Sequence, residues 1–205
     1  IKDAEVALFY YAGHGISVAG SNYLIPVKST YQPDGAGDLT LRMLAETKLF
    51  NAEQVVAEAA RLADTARALS VRVLGTEQNP AGLGPNVEAI RQRCQSTLAK
   101  THFDACEDGL LDALGDAGEV VIAGCETHVC LLQTTLGLLR AGRRVWVVGP
   151  ACGSRSSVDH ELAMQRLRGA GAVIVSPEMV AFEWLHDCRH ASFKPVLQMF
   201  KNRIG

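Results

Sequence analysis

The run VVIAGCETHVC at residues 120–130 carries the pattern on which the fold depends. Four consecutive apolar residues at 120–123 predict a buried β-strand, and Gly124 marks the turn that ends it. The apolar pattern that continues from residue 127 to 139 predicts a helix, with Cys130 in its first turn. Backbone N–H groups and the positive end of the helix dipole favour a thiolate at that position. Cys130 is therefore the leading candidate for a nucleophile.

The sequence on either side of this run alternates strands with helices. Strands are predicted over 71–75, 97–100, 120–123, 145–148 and 172–175, and helices over 52–69, 107–114, 127–140, 158–168 and 177–185. This alternation predicts an α/β fold of three layers, α/β/α, with helices on both faces of a mostly parallel, doubly wound sheet. Ligands bind such sheets beyond the carboxyl ends of the strands. Lys100 and Cys130 would both lie at such ends.

Composition limits the classes of partner. The 205 residues include 20 basic and 22 acidic side chains without a Lys/Arg-rich run, so we expect neither nucleic acid nor an anionic membrane as a partner. No apolar stretch has membrane-spanning length and no signal-peptide pattern is present, which predicts a cytoplasmic protein. Its six cysteines form no CxxC pair, which predicts reduced thiols.

A metal site is not expected near the nucleophile. Cys125, His128 and Cys130 are close in sequence, but a turn from strand to helix would point their side chains apart. We therefore predict chemistry without a metal.

The N-terminal residues differ in composition from the rest. All four tyrosines lie within the first 31 residues, and the sequence YQPDGAGD at 31–38 is typical of a linker. We therefore divide the chain into an N-terminal piece at 1–30, a linker at 31–38 and a main domain at 39–205.

Four motifs in the main domain point to a known family. They are TEQNP at 76–80 followed by GLG at 82–84, KTHF at 100–103, GCETHVC at 124–130 and ACGSR at 151–155. With these motifs, residues 39–201 resemble the isochorismatase-like cysteine hydrolases, in particular the metal-free branch called isochorismatase domain-containing proteins. The resemblance implies a triad of Asp, Lys and Cys in which the cysteine attacks a carbonyl or related electrophilic carbon, with no cofactor.

Carried over by motif, the resemblance gives roles to three residues. Cys130 would be the nucleophile and Lys100 its electrostatic partner, whose ammonium would lower the pKa of the thiol. The resemblance also implies a cis peptide bond before Glu126. The N–H groups of Glu126 and Cys130 would then form an oxyanion hole.

The acidic member of the triad is missing from its expected place. In the family it closes the first strand, and alignment on the sequence KLF at 48–50 puts Leu44 at that position. Glu46 is two residues away and would serve only if the alignment slips. Without a carboxylate, no obvious base takes the thiol proton or activates water.

Four further residues are candidates for lining the pocket. Gln78 and Asn79 follow a strand whose end faces the predicted site, and His102 and His128 flank it. For the two histidines, a hydrogen-bonded structural role is equally compatible with the sequence.

The N-terminal piece carries a second resemblance. The sequence VALFYYAGHG at 6–15 resembles the segment of caspase-like peptidases and metacaspases that holds their catalytic histidine, here His14. One interpretation is an orphaned fragment of such a peptidase. In another, residues 6–12 fill the place of the missing first strand, and His14 substitutes as the base for Cys130.

The predicted function is therefore metal-free, cysteine-dependent hydrolysis of a small amide, ureido or enol-ether-type substrate by a homo-oligomer, a dimer or larger. The alternative is a catalytically impaired scaffold that serves as an oligomerisation or binding module. A minor alternative is a caspase-like peptidase fragment.

Overall fold

The computed structural model describes residues 6–11, 14–18, 21–25 and 52–201, with the backbone alone for the first three stretches. The described strands are β1 Val6–Tyr11, β2 His14–Val18, β3 Ser21–Ile25, β4 Arg72–Gln78, β5 Ser96–Lys100, β6 Glu119–Cys125, β7 Arg144–Gly153 and β8 Val173–Val175. Six of them form a parallel sheet in the order β5-β4-β1-β6-β7-β8, while β2 and β3 pair separately and antiparallel. The predicted parallel sheet is confirmed.

Eight described α-helices accompany the strands. They are α1 Ala52–Ala68, α2 Pro80–Leu83, α3 Glu88–Arg91, α4 Leu110–Leu114, α5 Leu132–Arg140, α6 Ser157–Gly169, α7 Pro177–Leu185 and α8 Phe193–Lys201. The helix predicted over 107–114 is interrupted, because Gly109 has a φ of 94° and separates a 3₁₀ turn at Ala105–Asp108 from α4. Helix α8, which the sequence analysis did not predict, packs Val196 and Phe200 against α7.

Side-chain alternation along β6 divides the core into two layers. Val120 and Ile122 pack with residues of α4, α5 and α6, whereas Val121 and Ala123 pack with residues of α1 and α7. All four side chains are fully buried. Because successive residues of a strand point to opposite faces, helices cover both sides of the sheet. The predicted three-layer α/β/α architecture is confirmed.

Strand β1 lies in the middle of the parallel sheet. It pairs with β4 on one side and β6 on the other, with Leu8 opposite both Leu74 and Ile122. The N-terminal piece thus supplies a central strand, in agreement with the interpretation in which residues 6–12 fill the vacant place. The linker at 31–38 lies outside the described residues, and the domain division stays a prediction.

Two further sequence expectations concern the chain as a whole. All six cysteines are free, as the prediction of reduced thiols requires. Among the helices that the structure describes, none combines the length and the apolar character needed to cross a membrane.

Candidate active site

Three predicted site residues meet at the carboxyl edge of the sheet. Gln78 ends β4 and Lys100 ends β5, and the two residues are paired in the sheet register. The turn after β6 brings Cys130 to the same place, with its Sγ 3.8 Å from Oε1 of Gln78. All three side chains are buried. The structure therefore gathers the predicted nucleophile and its cationic partner around one amide group.

Lys100 is held by several acceptors. Its ammonium donates to Oε1 of Gln78, to the carbonyl oxygen of His102 at 2.8 Å and to that of Phe103 at 3.3 Å. Burial lowers the pKa of the Lys100 ammonium, and the nearby Cys130, Asp108 and Asp104 act in the opposite direction. The lysine is thus a desolvated cation fixed at the site, rather than a surface side chain.

The Cys130 thiol is harder to ionise than the sequence pattern indicated. Burial raises its pKa to about 11, and Glu126 adds to that rise, while the Lys100 charge acts to lower it. The effect of Lys100 thus has the predicted direction, but desolvation outweighs it. In the resting protein at neutral pH, Cys130 is a thiol, and the expected thiolate is not supported.

Removing the Lys100 charge is therefore expected to move the ionisation of Cys130 to still higher pH. In a Lys100→Met variant, which keeps most of the buried stem, alkylation of Cys130 by iodoacetamide at pH 9 should be slower than in the unmodified protein. Peptide mass spectrometry at a series of pH values measures the rate at this one cysteine. Lys194→Met, at an exposed site on α8, is the matched control. An unchanged or faster rate in Lys100→Met would contradict the role of the charge.

The turn that carries Cys130 is wider than an α-helical turn. Residues Thr127–Leu131 form a π-helical turn, in which the N–H groups of Val129 and Leu131 both donate to the carbonyl oxygen of Glu126 at 3.2 Å. The peptide bond between Cys125 and Glu126 is cis, as the family resemblance implied. The oxyanion role of the Glu126 and Cys130 N–H groups stays a prediction.

Side-chain contacts tie this turn to the end of β7. Oγ1 of Thr127 donates to the carbonyl oxygen of Gly153 at 2.9 Å. Nδ1 of His128 lies 3.0 Å from Oγ of the fully buried Ser154. His128 is thus hydrogen-bonded within the protein, and these contacts hold the turn that carries Cys130 against the sheet.

Asn79 and His102 contribute mainly through their backbones. Asn79 has left-handed dihedrals, φ 42° and ψ 59°, and its N–H donates to the carbonyl oxygen of Lys100 at 2.7 Å. The His102 ring is half exposed and pairs with Asp108 at 2.9 Å, which raises the pKa of the imidazole. Its carbonyl oxygen, rather than its ring, contacts Lys100. Both residues thus shape the loops that hold the lysine.

Two acidic residues that were not predicted lie near Lys100. Asp104 is buried, pairs with Arg140 at 2.9 Å and accepts from the N–H of Cys106 at 2.9 Å. Asp108 accepts from the N–H groups of Thr101 and His102, each at 2.8 Å. Their position just after the KTHF motif was the available signal. Both carboxylates are engaged in organising the loop and favour the charged form of Lys100.

Other predicted residues fall where the structure does not describe side chains. His14 opens β2, but only its backbone is described, and Leu44 and Glu46 lie outside the described residues. Strand β1 ends at Tyr11, which is paired with Glu77 and Cys125, so β1 ends at the same edge of the sheet as the candidate site. The role of His14 as a substitute base stays a prediction. Within residues 53–201, no three His, Cys, Asp or Glu side chains form a group able to hold a metal ion.

The family follows from comparison with known proteins. The isochorismatase domain model matches residues 38–179. Isochorismatase domain-containing protein 2 of Bos taurus is 40% identical over 150 residues, covering 72% of this chain and 74% of that protein. Isochorismatase family protein 1A of Dictyostelium discoideum is 32% identical over 167 residues, covering 77% and 81%. The chain therefore belongs to the isochorismatase family, and its fold is a hydrolase scaffold of that family.

Solved structures support the same fold. The MAR1 ribonuclease of Caenorhabditis elegans superposes with a TM-score of 0.76 and 27% identity, covering 97% of this chain and 91% of that one. The YcaC gene product of Escherichia coli, described as an octameric hydrolase of unknown specificity, has a TM-score of 0.73 and 22% identity, covering 100% and 90%. The caspase-like resemblance of residues 1–30 receives no support from these comparisons.

Proposed function

We propose that this protein is a cysteine-dependent hydrolase of a small amide, ureido or enol-ether-type compound. The observation that supports it best is the joint burial of Cys130 and Lys100 around Gln78 at the carboxyl edge of a parallel sheet. A desolvated nucleophile beside a fixed cation is an arrangement that proteins use for covalent catalysis. No step of this proposal uses a metal or a cofactor.

For an amide, the reaction has two balanced steps. Sγ of Cys130 bonds to the carbonyl carbon, the C–N bond breaks, and the amine leaves with the proton that the thiol gives up. Water then attacks the resulting thioester, which releases the carboxylic acid and restores the thiol. The negative charge that develops on the carbonyl oxygen would be stabilised by the N–H groups of Glu126 and Cys130.

The first step requires a group that accepts the thiol proton. Because burial raises the pKa of Cys130 to about 11, ionisation needs an acceptor at neutral pH. Lys100 donates to three acceptors as an ammonium, and an ammonium has no lone pair with which to accept that proton. His14, which opens β2, is the candidate acceptor.

A second function is favoured by the missing acid. Alignment on residues 48–50 puts Leu44 where the family's triad has a carboxylate, and burial raises the pKa of Cys130 to about 11. Both observations favour an impaired scaffold that acts as a binding module. In either case, we expect a homo-oligomer, by analogy with the E. coli protein described as an octamer, and the cytoplasmic location stays a prediction from the sequence.

Product release and covalent trapping distinguish the two functions. The full chain and a Cys130→Ala variant are incubated with small primary amides, ureido acids and an enol ether, with products followed by NMR and adducts by intact mass. We expect hydrolysis of at least one class by the unmodified chain and none by the variant. A Cys188→Ala variant, at an exposed cysteine, should behave like the unmodified chain. Neither turnover nor a Cys130 adduct with any compound would favour the binding module.

A further inference from the structure

Gln78 is placed to do more than line a pocket. Its Oε1 accepts from both the Lys100 ammonium and the Cys130 thiol, the latter at 3.8 Å from Sγ. Its Nε2 donates to the carbonyl oxygen of Thr101 at 2.5 Å. Since a carbonyl oxygen cannot donate, that third contact fixes which end of the amide faces the two catalytic candidates.

The orientation of this amide has a chemical consequence. An oxygen that accepts from S–H stabilises the thiol, and an oxygen that accepts from an ammonium stabilises the cation. Oε1 of Gln78 therefore stabilises the Lys100 cation and, by stabilising the thiol form, disfavours ionisation of Cys130. A neutral amide does not itself accept the thiol proton.

We propose that Gln78 is a positioning residue that adds to the effect of burial in disfavouring ionisation of Cys130, by offering one amide oxygen to both the thiol and the Lys100 ammonium. The inference rests on the proposed function only in treating Cys130 as the nucleophile. It deepens that proposal by assigning the control of the nucleophile's ionisation to a residue outside the expected triad.

Several charged groups near Cys130 and Lys100 also affect their ionisation, but they do so without bridging the two side chains. Lys100 at the end of β5 and Glu126 before the π-helical turn act on Cys130 in opposite directions. Asp104 and Asp108, on the loop after β5, act on Lys100. Of the groups described here, Gln78 alone hydrogen-bonds to both the thiol and the ammonium.

Two substitutions at this position test the inference because they should act in opposite directions. Gln78→Met keeps the length of the side chain and removes the acceptor, so Cys130 should be alkylated by iodoacetamide at pH 8 about three to ten times faster. Gln78→Glu places a negative charge beside the sulfur, so alkylation should be about ten times slower or more. Gln165→Met, at an exposed site on α6, controls for the loss of an amide.

Rates are measured at Cys130 by peptide mass spectrometry from about pH 6 to about pH 10, a range that includes the ordinary pKa of a thiol. Opposite shifts of the two variants support the inference, and shifts in one direction or no shift overturn it. If Gln78→Met does not fold, as thermal melting would reveal, Gln78→Glu decides: slower alkylation supports the inference, and an unchanged or faster rate overturns it. Alkylation does not require a substrate, so absence of turnover would count against the proposed function alone.

Discussion

Replacing Gly137 with alanine is expected to lower the free energy of unfolding by about 2–3 kcal/mol. Gly137 lies in α5 and is buried against the carboxylate of Asp104. A Cβ at this position would lie 2.8 Å from Cγ of Asp104, and closer still to both carboxylate oxygens. The carboxylate would have to move, which would disturb its pair with Arg140 and its bond from the N–H of Cys106.

Another helical glycine provides the matched control for this substitution. Gly169 ends α6, and a Cβ there would meet nothing within 4 Å. Gly169→Ala is therefore expected to be neutral or to stabilise the protein by up to about 1 kcal/mol. Urea unfolding followed by circular dichroism measures both variants under the same conditions. Equal stabilities of the two variants would contradict the close approach of α5 to Asp104.

Raising the pH above about 9 is expected to destabilise the protein steeply because of its buried cysteines. Burial raises the pKa of Cys125 from an ordinary 9.0 to about 12, and it raises that of Cys152 as well. In the unfolded chain both thiols ionise with ordinary pKa values. At pH values between the unfolded and the folded pKa of these thiols, the folded protein binds more protons than the unfolded chain. The free energy of unfolding therefore falls as the pH rises.

The expected loss is about 2 kcal/mol between pH 9 and 10 for these two thiols together. The contribution of these thiols to stability is fully present below their unfolded pKa. It is lost progressively as the pH approaches about 12, the folded pKa of Cys125. Urea unfolding at pH 8, 9 and 10 measures the slope. Cys152→Ala removes one of the two ionising groups and should make the slope shallower, whereas Cys188→Ala, at an exposed site, should leave it unchanged. Equal slopes in the two variants would rule out the buried thiol as the cause.

Asp104 and Cys125, whose surroundings determine these two effects on stability, also lie next to the candidate site. Asp104, which Gly137 accommodates, favours the charged form of Lys100 from its place after β5. Cys125 ends β6 directly before the cis bond and the turn that carries Cys130. Destabilising either region is therefore expected to displace the loops that hold Cys130 and Lys100.

Local patterns in the sequence were sufficient to predict most of the longer helices and strands of the main domain. The apolar run at 120–123 predicted the core of β6, and Pro177–Leu185 was predicted with the bounds that the structure has. These predictions succeeded because buried strands and capped helices are specified by residues adjacent in the chain. The interruption at Gly109 was not predicted, since a glycine within an otherwise helical pattern does not reveal its φ.

The candidate site was predictable in its members but not in its chemistry. The motifs identified Cys130, Lys100 and Gln78, and the alternation of strands and helices put them at one edge of the sheet. The sequence pattern favoured a thiolate, because a helix terminus and a nearby lysine both lower the pKa of a thiol. Burial outweighs the effect of the Lys100 charge and raises the pKa of the Cys130 thiol to about 11.

The sequence by itself thus determined the fold class, the family and the identities of the residues at the site, because apolar periodicity and short motifs are properties of neighbouring residues. Only the tertiary structure decided that β1 lies between β4 and β6, which depends on pairing across long stretches of chain. It also decided that the Gln78 amide turns its oxygen toward Cys130 and Lys100. Strand register and desolvation control these features, and both arise only when distant segments pack together.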